Sequence, residues 1–164
     1  MSSESPARQS AMTASRRSPV QVAAAAVGGV FLVIGILGFV PGVTTHYDQL
    51  TVAGHDSGAA LLGVVFNISV LHNAVHLVFD VAGLILARTY TAARWFLIGG
   101  AVVYLLLFMY GVLIDHGSAM NFIPVNPAEN WLHLGLGVGM LALGNMLGGH
   151  TLGNGPASTP RPAL

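Results

Sequence analysis

The chain has 164 residues, of which 54% are hydrophobic and only 7% charged. A soluble domain carries roughly 25% charged residues, so there is too little charge here to cover a water-facing surface, and lipid is the solvent that removes the contradiction. A net charge of zero leaves no electrostatic footprint for nucleic acid, and the lack of cysteine excludes disulfides and thiolate metal sites.

Residues 1–19 are rich in Ser, Ala, Arg and Pro without apolar periodicity, and read as a disordered cytoplasmic tail. A first apolar run covers Val20 to Val40. At ~1.5 Å per residue it spans a hydrocarbon core of ~30 Å. A basic flank and a weak twin-arginine lookalike, Ser15 to Ser18, precede it. The run is longer than a typical signal-peptide core and no small-x-small site follows, so it reads as an anchoring span. Pro41 and Gly42 end it, and 43–57 reads as a polar loop with His46, Asp48, His55 and Asp56. Asp56 or Ser57 can cap a second helix running from Gly58 to Arg88. Such a helix exceeds the bilayer core, so it either tilts and protrudes or breaks near 67–69, with Ser69 to Ala87 as the crossing part.

Residues 88–94 form a short polar connection, and the third apolar run is Trp95 to Ile114. The fourth helix carries the strongest start signal in the chain. Asn126 is its N-cap, Pro127 its first residue, and Glu129 reaches back as in a capping box. It ends near Gly148-Gly149, and 150–164 reads as a second disordered tail. The expected fold is all-α: a polytopic four-helix membrane bundle over 20–149, multi-pass in the cell membrane with the lipid bilayer as its solvent.

All six basic residues are arginine: Arg8, Arg16, Arg17, Arg88, Arg94 and Arg161. With four spans they all fall on one side, and Asp48, Asp56, Asp115 and Glu129 fall on the other. Positive charge is retained inside, so both termini are expected in the cytoplasm. Tyr90 and Trp95 then lie at the inner interface and Trp131 at the outer one.

Helices two and four share the core Asn-x-x-His-Leu, as Asn73/His76/Leu77 and Asn130/His133/Leu134, and Val81 then matches Val138. Helices one and three share only a Gly-Gly pair, Gly28-Gly29 and Gly99-Gly100. A two-plus-two helix duplication and chance likeness among apolar residues both fit this pattern.

Three segments, Leu37 to Thr45, Leu71-His72-Asn73 with His76-Leu77, and Asn130 to Gly137, together resemble an actinobacterial membrane-protein family named domain of unknown function 4383. The resemblance covers about Val20 to Gly149. It implies a four-span protein and no assigned chemistry. At Asp80 the chain departs from the family, which has Gly there more often.

On a helical wheel Ser69, His72, Asn73, His76 and Asp80 share an arc of about 100°, a polar stripe that should face the bundle rather than lipid. Helix four puts Asn130, His133, Gly137, Gly144 and Gly148 on one face, so the two faces are expected to meet, with Asp80 lying over Gly137. Three readings compete. In the first, Asn and His bond across helices and fix packing, as in a structural or accessory membrane protein without a cofactor. In the second, His76 and His133 hold haem or a divalent metal. In the third, Asp80, His76 and His133 line a path for protons or a small solute. The outer-loop group His46, Asp48, His55 and Asp56 is a weaker cation candidate. Gly135-x-x-x-Gly139 suits packing within the bundle or in a homo-oligomer. No nucleophile–base pair or nucleotide loop is present, which argues against an enzyme.

Overall fold

The computed structural model describes residues 17–55, 57–63 and 65–149. The expectations for both tails, for Asp56, and for Arg8, Arg16 and Arg161 lie outside these residues. Four helices pack together: α1 (Pro19–Leu37), α2 (Val70–Leu86), α3 (Tyr90–Leu113) and α4 (Pro127–Met146). Between α1 and α2 stand a short 3₁₀ turn (Tyr47–Gln49) and a two-stranded antiparallel hairpin, β1 (Ala60–Leu61) with β2 (Phe66–Asn67).

Each helix boundary has a local cause. Pro41 disfavours helical geometry at the residue before it, and α1 stops at Leu37 rather than Val40. The Thr44 hydroxyl then takes the freed carbonyls of Leu37 and Gly38. α2 does not run from Gly58. Ser69 caps it by accepting the His72 N–H, and the N–H groups of Val70 and Leu71 bond to Thr51 and Val52. Ser57, read as a possible cap, instead donates to the Ile68 carbonyl. The segment before α2 is a folded cap rather than a helix extension, closed over a small apolar cluster of Ala59, Leu61 and Ile68.

The connection between α2 and α3 is shorter than the charge pattern suggests. Thr89 caps α3 through the Ala92 N–H, so Arg94 lies inside the helix. Apolar runs mark where a chain is greasy, whereas caps mark where helices begin, and here the two differ by five residues (Tyr90 against Trp95). At α4 the capping box is present: Asn126 Oδ1 accepts the Glu129 N–H at 3.0 Å, and Glu129 Oε2 accepts the Asn126 N–H at 2.7 Å.

α1 packs along α2 and α3 along α4, and the two hairpins join chiefly through α1 and α3. α2 and α4 sit on opposite flanks and barely touch. The dense core lies at the end carrying Arg17, Arg88 and Arg94, where Val20, Ala24, Ala93, Leu97, Ala101 and Met140 are buried. By length and composition α1 and α3 are apolar enough to cross a membrane, while α2 is a shorter apolar helix.

The contacts inside one hairpin recur in the other. Moving from α2 to α4 by 57 positions, the interval from Asn73 to Asn130, and from α1 to α3 by 73, the interval from Gly38 to Gly111, superposes them. Asn73 covers Gly38, as Asn130 covers Gly111. Phe31 lies 6.5 Å from His76, ring to ring, and Tyr104 5.8 Å from His133. The Gln21 amide donates to the Ala87 carbonyl, as Arg94 Nε donates to the Gly144 carbonyl. Ser69 and Asn126 cap the two second helices.

Candidate functional site

Toward the other end the four helices line a partly open cavity of about 350 Å³ instead of a packed core. Phe31, Ile34 and Gly35 of α1 form one wall, and Glu129, Leu132, His133 and Leu136 of α4 another. α2 contributes His72, Asn73 and His76, α3 contributes Tyr104, and Leu61, Leu62 and Phe66 of the hairpin stand over the loop end. The walls are apolar apart from these few groups, which is the usual makeup of a small-molecule pocket.

Helix spacing explains the polar wall. His72 and His76 are one turn apart on α2 and stack at 4.7 Å between ring centres. His133 lies close enough to interact electrostatically with both. His72 also reaches the backbone of Pro124, tying α2 to the loop before α4. His76 and His133 therefore line one cavity, although their helices are not neighbours.

Several polar atoms of these lining residues are buried, with almost no open surface of their own, and have no hydrogen-bond partner among the described residues: His72 Nδ1, Asn73 Nδ2, Glu129 Oε1 and His133 Nδ1. Asn73, Glu129 and His133 are each no more than 3% exposed. Leaving one buried group unbonded costs roughly 1–3 kcal/mol.

The remaining residues of the predicted stripe lie elsewhere. Ser69 is spent on the helix cap. Asp80 is fully buried with both carboxylate oxygens unbonded, but lies outside the cavity wall. Asn130 sits against Gly111, its Oδ1 unbonded, and is likewise off the wall. Gly137 does not lie under Asp80. A Cβ there would stand 2.7 Å from Leu105 Cγ and 3.3 Å from the Ala101 carbonyl oxygen, so the glycine face of α4 serves close approach to α3. A Cβ on Gly135 or Gly139 would meet nothing within 4 Å among the described residues. Among the described residues no three His, Asp or Glu side chains gather as a metal site would require, at the cavity or in the outer loop.

Sequence reasoning placed Glu129 only as a capping residue and missed Phe31 as part of the site. The 57-position shift carried a signal for the first, since it sets Glu129 opposite His72. The model of the family described as a domain of unknown function, DUF4383, matches residues 21–146. The chain belongs to the DUF4383 family. No curated protein and no solved structure matches it. The DUF4383 match takes in all four helices except the first two residues of α1, and with them every residue of the cavity wall.

Proposed function

We propose that this DUF4383 protein is a four-span membrane protein that works as a non-enzymatic binding module, with a small-molecule pocket in the outward half of its bundle. The observation that carries the reading is the cavity of about 350 Å³ itself, an apolar space among the four helices that the side chains of His72, His76 and His133 line from opposite flanks. A bundle held together by its Asn and His residues would bond them to one another, whereas His72 Nδ1, Asn73 Nδ2 and His133 Nδ1 have no hydrogen-bond partner among the described residues.

The membrane setting rests on the outward faces. Val22, Val30 and Val33 on α1, Val78 on α2, Leu106 on α3 and Val138 on α4 are all more than half exposed, so apolar side chains surround the bundle. α2 and α4 lie antiparallel beside two helices long enough to span, and at ~1.5 Å per residue their lengths are close to the bilayer core. The arginine side faces the cytoplasm, which places both termini inside and the hairpin cap outside. The recurrence of the same contacts in both hairpins favours a duplicated two-helix unit, its halves related by an axis along the membrane normal.

Native mass spectrometry tests the binding reading. Protein released from its own membrane into lipid nanodiscs should carry an adduct below one kilodalton. A cavity-filling change, Leu136→Trp, should remove it while helical content is kept. A wild-type protein with no adduct, or an adduct indifferent to the tryptophan, would overturn the proposal.

A further inference from the structure

We infer that the guanidinium of Arg94, at the arginine end of the bundle, binds the phosphate of an anionic phospholipid in the inner leaflet. This rests on the four-span reading and is independent of the cavity.

The two hairpins close their arginine ends with different chemistry at one position. Gln21 of α1 and Arg94 of α3 correspond under the 73-position shift. Each crosses to carbonyls near the end of its partner helix. Gln21 Nε2 donates to the carbonyls of Ala87, at 3.2 Å, and Arg88, at 2.8 Å, which uses both of its N–H bonds. Arg94 donates only Nε, to the Gly144 carbonyl at 3.3 Å. A neutral amide therefore suffices for the structural task. Arginine adds a charge and two Nη groups that have no partner among the described residues.

The guanidinium is held in place. A Cβ on Gly148 would stand 2.5 Å from Arg94 Cδ and 2.7 Å from its Nε, so this glycine leaves the room in which the side chain lies. Tyr90, one turn earlier on α3, donates its hydroxyl to the Gly148 carbonyl at 2.6 Å and fixes the glycine. With Nε spent, the two Nη groups form the free end of the fork, which matches two oxygens of one phosphate.

The surroundings fit an anion that belongs to the bilayer. Arg17 and Arg88 stand exposed at the same end, and no acidic side chain among the described residues does. Two helix N-termini and two C-termini meet there, so their dipoles offset and the arginines set the sign. Arg94 lies a turn inside α3 rather than on a loop in water. Trp95 beside it is 62% exposed, and an amphipathic ring of this kind marks the headgroup level of a bilayer. Val102 and Leu106 continue the exposed apolar flank of α3 away from that level, a track for the acyl chains of the same lipid. Basic groups between helices on the cytoplasmic side suit anionic headgroups.

The test is lipid titration of the full detergent-purified chain read by native mass spectrometry, with phosphatidylglycerol and phosphatidylcholine of the same acyl chains. The wild type should retain phosphatidylglycerol about tenfold better, as one bidentate charge-assisted pair predicts. Arg94→Gln repeats at the second hairpin what Gln21 does at the first, so it should keep the melting temperature and lose the preference. Arg94→Lys, which keeps the charge and loses the fork, should lose most of it. Leu136→Trp should leave the preference unchanged, so this site and the cavity can fail separately. Equal retention of the two lipids by the wild type, or a preference that survives Arg94→Gln, overturns the inference. So does a preference kept in full by the lysine variant, which would reduce Arg94 to a diffuse charge. Displacement of the lipid by millimolar inorganic phosphate overturns it as well, by making the ligand a free anion.

Discussion

At the residue scale, the glycines that matter are those covered by an asparagine. A Cβ on Gly111 would stand 1.8 Å from Asn130 Oδ1, and one on Gly38 would stand 2.4 Å from Asn73 Nδ2. Gly111→Ala and Gly38→Ala should each destabilise the protein by about 1–3 kcal/mol, the usual cost of overpacking. Gly99 and Gly135 have open space where a Cβ would go, so Gly99→Ala and Gly135→Ala should be neutral or stabilising by up to about 1 kcal/mol. Thermal melts in detergent separate the two classes, and equal effects at all four positions would show that Asn73 and Asn130 do not pack as described. Gly111→Ala combined with Asn130→Ala should recover part of the loss. The two asparagines were legible from the sequence as a repeated pair, but their partners were not. A polar residue on an apolar helix announces that it avoids lipid, without saying which neighbour it turns to. The stripe on α2 shows this, because periodicity put five residues on one face and the structure divides them among a cap, a cavity wall and a buried carboxylate.

At the scale of elements, starts with a side-chain signature were readable and starts without one were not. Asn126-Pro127 with Glu129 marks α4 to the residue. Ser69 was hidden inside a long apolar stretch, so α2 could be drawn from Gly58. The folded cap that replaces its first turns depends on pairing between distant strands and loops, such as Thr45 with Ala60 and Gly54 with Phe122, which no local pattern encodes. Asn126 does two tasks. Its Oδ1 caps α4, and its Nδ2 donates to the Val65 carbonyl, joining α4 to the hairpin over the cavity. Asn126→Asp keeps the cap and loses the Val65 bond, whereas Asn126→Ala loses both. Alanine should cost about 0.5–2 kcal/mol for the cap and about 0.5–1.5 kcal/mol more for the bond, and aspartate only the latter. Melting curves of the two variants check this, and hydrogen exchange around 60–67 should quicken in both. Equal stability of the alanine variant and the parent would remove the capping assignment.

At the scale of the molecule, the arginine pattern makes one firm topological prediction. Reporters fused after Arg88 and at the C-terminus should report cytoplasm, and reporters at His55 and Ser118 the outside; an external C-terminus would end the four-span reading. What composition and charge could not supply is which helices touch. Equal depth and shared polarity suggested that α2 and α4 pack face to face. In the structure α1 and α3 join the hairpins instead, while Gly28 is used inside its own hairpin, where a Cβ would stand 2.9 Å from the Asp80 carbonyl oxygen of α2. Toward the loop end His76 and His133 still share one cavity, from opposite flanks. The chain has no cysteine, so a pair of cysteines can be introduced on a clean background. Cysteines at positions 76 and 133 should be bridged within one chain by a flexible reagent long enough to cross the cavity. Cysteines at 81 and 138 should not, although they are offset by the same 57 positions and lie at matching depth. Val81 and Val138 are 45% and 55% exposed and point away from the bundle, so the second pair isolates facing direction from depth. Bridging at 81 and 138 as efficient as at 76 and 133, or the absence of any at 76 and 133, would mean that the two histidines do not face a common cavity, and the binding-module reading would go with it.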